Sequence, residues 1–316
     1  MRKLLIAVVL IILILFASIY LLIPGQIKMQ ESAFAIVSPA AATSFFSVRS
    51  NWHKWWPQIN QNGQSDSLFY FGNSSYLINQ QLYNGFNIEI LSNKDSIHSF
   101  LSLVPWSMDT LQIQWNGLME TSVNPFKRIS QYRQVSKTKD ELNSILTGLV
   151  RFLQKWDNVY GMEIRKEIVK DTLLVFKESL MNAEPTTSSI EAMVNDLRNH
   201  IRKGGAKETN YPMMNVIKMI QAGANQYRVM VAIPIDREIP LSDSIAIRKM
   251  VQGWILVSDI KGGPITIKNA FTQMRNFVND YSKIPIAVPF ESMVTDRVAE
   301  PDTTKWMTRI YFPIVL

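Results

Sequence analysis

Glu291 is the residue whose type and setting most suggest chemistry. It lies in Val288-Pro289-Phe290-Glu291-Ser292-Met293-Val294, an otherwise apolar stretch. Strand alternation puts Glu291 and Met293 on one face and Phe290, Ser292 and Val294 on the other. A carboxylate in an apolar groove is costly unless a cation or donor meets it. Such a residue therefore marks either a ligand contact or an edge residue paired with a nearby Lys or Arg. Tyr311 is the best partner candidate, because on the last strand Met307, Arg309 and Tyr311 share a face. Acid/base catalysis has no strong signal in the residues, and Glu291 as base with Tyr311 as donor would be the only available pair. Trp254, which opens an earlier strand, reads equally as a groove wall or as core.

A second cluster is aromatic. Trp52, Trp55 and Trp56 put three indoles within five residues, a density suited to core packing, to lining a pocket mouth or to touching lipid headgroups. Trp106 and Trp115 read as wall. His53, His98 and His200 have no metal-ligand spacing, so no metal site is expected. Lys203-Gly204-Gly205 and Lys261-Gly262-Gly263 lack the pattern of a phosphate loop and read as turns. No serine sits in a nucleophile-elbow motif. No cofactor is expected.

The elements that must position these residues begin with an anchor. Leu4 to Ile23 holds 20 uncharged residues, which as a helix rise about 30 Å, the thickness of a bilayer core. The run is longer than a secretory signal's apolar region and ends without a small-x-small cleavage site. Arg2 and Lys3 would keep the N-terminus cytoplasmic, leaving the body on the outer side, which in a Gram-negative cell is the periplasm.

A strand is then expected over 27–37, and a helix from Ala40 to Val48 with Ser38 as cap and Pro39 in its first turn. Strands follow at Leu68–Phe71, Tyr76–Leu82, Phe86–Leu91, Ile97–Val104 and Thr110–Met119, as an antiparallel meander. Leu142, Ile145, Leu146, Leu149, Val150, Leu153 and Trp156 keep a helical stripe from Glu141 to Asn158, and Tyr160-Gly161 ends the unit with a left-handed glycine.

The second half reads as a duplication. Leu173–Phe176, a helix Ile190–Ile201 and Tyr227–Ile235 are answered by Ile255–Ser258, a helix Thr266–Tyr281 and Trp306–Ile314. Arg198-Asn199 matches Arg275-Asn276, and Ile233-Pro234-Ile235 matches Phe312-Pro313-Ile314. Two such strand-helix-strand units build one sheet with helices on one face, and the groove between them is the natural concave site.

The charges are 33 Lys+Arg and 26 Asp+Glu. They are scattered, so a mixed solvated surface is expected and nucleic-acid binding is not. The absence of cysteine excludes disulfides, thiolate chemistry and a lipoprotein anchor.

The C-terminal stretch, Val288 to Asp296 followed by Glu300 to Ile314, with Gly253 to Gly263 upstream, resembles the signature of GyrI-like small-molecule-binding domains. The resemblance implies a duplicated α+β domain whose groove takes hydrophobic, often cationic, ligands. Glu291 matches that pattern, while Met293 stands where a tyrosine is common. The first half resembles the SRPBCC or START-like (polyketide cyclase-like) helix-grip fold, through Ser38-Pro39-Ala40, Trp52-x-x-Trp55-Trp56-Pro57, Asn124-Pro125-Phe126-Lys127 and the strand count. The order of anchor, helix-grip domain and GyrI-like domain looks like a Bacteroidetes-type envelope protein. The expected organisation is therefore α+β, with an anchor over 1–25, a helix-grip domain over 26–160 and a GyrI-like domain over 161–316. A membrane-tethered binder of hydrophobic or amphipathic small molecules is the leading expectation, with Glu291, Trp254, Met293, Tyr311, Trp52 and Trp56 as ligand contacts. A hydrolase using Glu291 and Tyr311, and an envelope interaction module without ligand, are the alternatives.

Overall fold

The structure, a computed structural model, describes residues 2–57, 67–92, 95–170, 173–221, 224–242 and 244–315; among the terminal helix's residues, the side chains of Arg2 and Lys3 lie outside that description. The chain is α+β and divides into two compact units, Met1–Val159 and Tyr160–Leu316.

The first unit opens with α1 (Arg2–Leu22), whose apolar side chains point outward; Leu4–Leu22 is long and apolar enough to cross a membrane. Next come β1 (Gln26–Ala35), α2 (Pro39–Ser47), the short α3 (Trp52–Trp55), β2 (Leu68–Phe71), β3 (Ser74–Leu82), β4 (Gly85–Ser92), β5 (Asp95–Pro105) and β6 (Leu111–Glu120). The strands form one antiparallel sheet in the order β1-β6-β5-β4-β3-β2, so the first strand closes against the last. A long helix, α4 (Pro125–Leu153), packs on this sheet, and the short α5 (Trp156–Tyr160) follows it. This is the helix-grip arrangement.

Helix α4 starts 16 residues before the expected Glu141. Asn124 caps it, its side chain accepting from the N–H groups of Phe126 and Lys127 at 3.0 and 3.2 Å, and Pro125 occupies the first turn. The early half carries no apolar stripe because its inward positions are polar. Arg128, Gln131, Gln134 and Thr138 are buried there, with Gln131 reaching Asp95 and Gln134 the carbonyl of Ser92. The stripe from Leu142 onward covers the true core. Gly161, after α5, has a φ of 72°, in the left-handed region that suits glycine.

The second unit comprises β7 (Arg165–Ile168), β8 (Leu173–Met181), α6 (Thr187–Lys203), β9 (Met213–Gln221), β10 (Ala224–Pro234), β11 (Ala246–Lys249), β12 (Trp254–Lys261), α7 (Pro264–Asp280), β13 (Ile284–Pro285), β14 (Phe290–Met293) and β15 (Met307–Val315). The main sheet runs β11-β8-β10-β9-β14-β15-β12-β7, with β13 paired to β15. Read from either end, the order places equivalent strands at equivalent positions: β8, α6, β9 and β10 answer β12, α7, β14 and β15. The register agrees, since Pro234 faces Leu174 and Pro313 faces Ile255. The two helices are each 17 residues long and start 77 residues apart, at 187 and 264. At that spacing the buried Ile190, Met193, Leu197 and Ile201 match the buried Ile267, Ala270, Met274 and Val278.

The short edge strands β7 and β11 have no counterpart among the expected elements. Each is four residues long and half-exposed, too short and too polar for a period to show.

Candidate functional site

Helix α6 packs on β8 and β10, and α7 on β12 and β15. The central strands β9 and β14 therefore lie between the two helices, at the junction of the repeats. Antiparallel pairing sets which side chains face that junction. Glu291 is opposite Met214 on one side and Ile310 on the other, and Met293 is opposite Thr308. Cross-strand partners share a face, so Met214, Glu291, Met293, Thr308 and Ile310 point the same way. That face is the one bearing the helices, because Met214 and Met293 pack against the core built around α6. Val216, two residues on from Met214, continues the strip and is exposed. The result is a floor of two methionines and a valine around one carboxylate.

Glu291 is buried, at 8% exposure. Arg297, in the connection from β14 to β15, turns back and donates from Nη2 to Glu291 Oε1 at 2.8 Å, and to Thr308 Oγ1 at 3.0 Å. Its guanidinium lies 4.8 Å from the centre of the Trp306 ring, within reach of a cation–π contact. The connection itself is pinned: Asp296 accepts from the N–H groups of Val298 and Ala299, and Trp306 Nε1 donates to the carbonyl of Glu300. Burial pushes the Glu291 carboxyl above its ordinary range, and Arg297 pulls it partly back. The residue thus has the internal arginine partner that the sequence left as one of two readings. Arg297, Trp306, Thr308, Met214 and Val216 gave no signal in the sequence, since only the pairing register and a loop turn bring them to Glu291.

Tyr311 does not join this cluster. It faces Phe290, with ring centroids 4.8 Å apart and planes at 18°. Phe290 and Tyr311 alternate with Glu291 and Ile310, so they project from the opposite face of the sheet. The pairing of Glu291 with Tyr311 as base and donor is thereby corrected: alternation within each strand was read properly, but the register between strands sends the two side chains apart. Arg309 shares the Tyr311 face and holds Asp259 at 2.6 Å, as Arg165 does from the next strand. Partial burial works upward on Asp259, but the two guanidiniums outweigh it and hold the carboxyl below its usual value. Trp254 is half-buried at the far side of β12, with Lys166 Nζ 4.4 Å from its ring centre. Strand β15 lies between it and Glu291's strand, and Trp254 pairs with Ile314, four residues along β15 from the Ile310 that faces Glu291, so the structure does not bring it to Glu291.

The tryptophan cluster of the first unit is core. Trp52 is 1% exposed and packs against Phe46, Trp55, Phe69 and Phe86 at centroid distances of 4.9 to 5.9 Å. Trp56 packs on Phe69 and Tyr76 and donates from Nε1 to the carbonyl of Tyr70 at 2.8 Å. Among the described residues, rings from α2, α3 and the sheet pack around Trp52 and Trp56, which are buried as core. Trp115 is fully buried, its indole N–H donating to Ser99 Oγ. Trp106 differs from expectation: it lies exposed in the β5–β6 turn, edge-on to Phe34. A cavity of about 560 Å³ does open on this unit, but Tyr70, Gly72, Asn73, Ser74, Ser75, Leu91, Ser92, Asp95 and Ser96 line it, a set rich in serine and without the tryptophans.

No family model matches the chain, and no curated protein matches it. Among solved structures, it is similar to the EcmrR C-terminal domain, at 16% identity over 49% of this chain and 98% of that one, with a TM-score of 0.42. It is also similar to SAV2435 bound to tetraphenylphosphonium, at 12% identity over 49% and 94%, TM-score 0.30. A third similarity is to the di-domain ARO/CYC BexL from the BE-7585A biosynthetic pathway, at 9% identity over 92% of this chain and 85% of that one, TM-score 0.31.

Proposed function

We propose that this chain is a membrane-tethered binding protein for hydrophobic or amphipathic small molecules, and that the ligand lies over β9 and β14 in the second, GyrI-like unit. The observation that carries this reading is the floor between the repeats, where Met214, Val216 and Met293 surround the buried Glu291. Methionine's flexible, polarizable side chain adapts to apolar partners of different shape, and a single charged group in such a strip orients a ligand's polar end. Arg297 already neutralises Glu291, so a neutral or zwitterionic amphiphile needs to displace nothing, whereas a cation must compete with the guanidinium.

The first unit, whose tryptophan cluster packs as core and lies away from its cavity, is read as a platform and not as a second container. The anchor is α1, with Arg2 and Lys3 on the cytoplasmic side and both units on the outer face, because basic flanks resist translocation.

The test is thermal unfolding of the full chain in nanodiscs with tetraphenylphosphonium, with neutral triphenylphosphine oxide and with a short-chain lysophospholipid. A ligand at about 100 times its Kd stabilises the folded state by about 2.7 kcal/mol, which raises the melting temperature of a unit this size by several degrees. No shift with any of the three, in the native chain or in Met214→Ala and Met293→Ala variants, would end the binding proposal.

A further inference from the structure

Helix α1 is not joined to the first unit by a loose tether. The carbonyl of Ile23, at its C-terminal end, accepts from the buried Arg128 through both Nε, at 2.9 Å, and Nη2. The same guanidinium lies 4.9 Å from the centre of the Tyr20 ring. A cation there complements the negative end of the helix dipole. Thr121 Oγ1 donates to the carbonyl of Pro24 or Gly25, and the Thr121 N–H to that of Gly25. Tyr20 in turn donates its hydroxyl to the carbonyl of Val123 at 2.6 Å.

This clamp draws the start of α4 down along α1. Phe126 meets Phe16 edge to face at 6.0 Å, and Phe16 stands six residues before the end of α1, about 9 Å along a helix axis. If Leu4–Leu22 crosses a bilayer, Phe16 is inside the hydrocarbon and Phe126 is at or within its edge. Phe126 and Val123 are 72% and 84% exposed, two large apolar side chains left mostly open beside the end of α1.

Most of the backbone N–H groups in this segment have partners within the unit. The N–H of Ser122 goes to Gln131 Oε1, that of Asn124 to Ser122 Oγ, those of Phe126 and Lys127 to Asn124 Oδ1, and that of Arg128 to the carbonyl of Asn124. Pro125 has no N–H, and the carbonyl of Val123 is taken by Tyr20. Satisfied backbone groups are what hydrocarbon requires.

We propose that the first turn of α4, with Val123 and Phe126, is a second membrane-inserted element that seats the first unit on the lipid surface beside α1. The inference rests on the tethering part of the proposed function and is independent of the ligand groove. Its occupant is the bilayer, since the patch is continuous with the apolar surface of α1.

The chain has no cysteine, so single labels need no background substitutions. Phe126→Cys, Val123→Cys, Leu10→Cys and Met108→Cys, each in the full chain in phosphatidylcholine vesicles, would carry an environment-sensitive fluorophore. All four side chains are exposed, and circular dichroism checks the fold. Labels at Phe126 and Val123 are expected to be quenched by brominated acyl chains, like the Leu10 label, and to be several-fold less sensitive to iodide than the Met108 label. Iodide quenching at Phe126 and Val123 equal to that at Met108, with Leu10 still protected, would overturn the seating but leave the anchor intact. Iodide access at Leu10 itself would overturn both.

Discussion

Arg297 sits 2.8 Å from Glu291, a guanidinium and a carboxylate that shield each other at the junction of two duplicated halves. Both side chains are about nine-tenths buried, so the pair is poorly screened and loss of either partner leaves an isolated charge.

Replacing Arg297 by Met should therefore give a pH-dependent loss of stability. Burial holds Glu291 above its ordinary value of 4.5, with Arg297 opposing. A raised carboxyl means the folded state keeps its proton more firmly, so this group's stabilisation is full below 4.5 and is lost as pH rises through the folded value. Without Arg297 that value climbs further. The variant should match the native chain most closely near pH 4 and fall behind by about 3 to 5 kcal/mol at pH 8, measured by urea unfolding at stepped pH. A difference that does not change with pH would contradict this account.

Removing the internal cation should also change what the groove accepts. Arg297→Ala should bind tetraphenylphosphonium about tenfold or more tightly than the native chain, because a cation about 6 Å from the freed carboxylate gains up to about 3 kcal/mol at an effective dielectric of about 20. The double variant with Glu291→Gln should lose the gain. Tyr311→Phe, on the other face, should leave both affinities unchanged. Equilibrium dialysis distinguishes these outcomes, and an effect of Tyr311→Phe equal to that of Glu291→Gln would argue against the assigned faces.

In the first unit, Trp52→Ala should cost about 3 to 5 kcal/mol, the usual penalty for emptying a large aromatic site, and should leave binding in the second unit untouched. Calorimetry of the full chain, with ligand titration on the same samples, tests both parts. A Trp52 variant that folds normally and loses ligand would reinstate the tryptophans as contacts.

Asp259, shared by Arg165 and Arg309, predicts the reverse pH behaviour. Its carboxyl is held below the ordinary 3.8, so its stabilisation is present above 3.8 and disappears as pH falls through the lower folded value. Asp259→Asn should cost about 1 kcal/mol at pH 7, a figure reduced by solvent screening, and little at pH 2. Equal costs at both pH values, read from denaturant midpoints, would exclude the ion pairs as the cause.

Much of this architecture was legible in the residues. The strand from Leu68 to Phe71 has the expected bounds, the other meander strands differ by a few residues at their ends, and the paired prolines marked the repeat correctly. Local alternation and turn residues carry that information. The early half of α4 was hidden because Arg128, Gln131, Gln134 and Thr138 fill inward positions with polar groups, the first three with specific partners. The candidate site was legible only as Glu291 and Met293. Alternation fixes the face of a residue within its own strand, but which neighbour stands opposite is a property of the sheet, and so Tyr311 was misassigned as a partner while Arg297 and Met214 went unseen.

The clamp on Ile23 has a mechanical consequence. A spanning helix normally answers a thinner bilayer by tilting, and a flexible joint would absorb that tilt. Arg128 and Thr121 instead hold Ile23 to Gly25, at the end of α1, against the first unit, so leaning of the helix would be passed to the sheet attached to it. If α1 spans the bilayer as proposed, membrane thickness becomes an input to the orientation of the first unit, readable as opposite changes in lipid exposure on its two flanks as acyl chains are shortened.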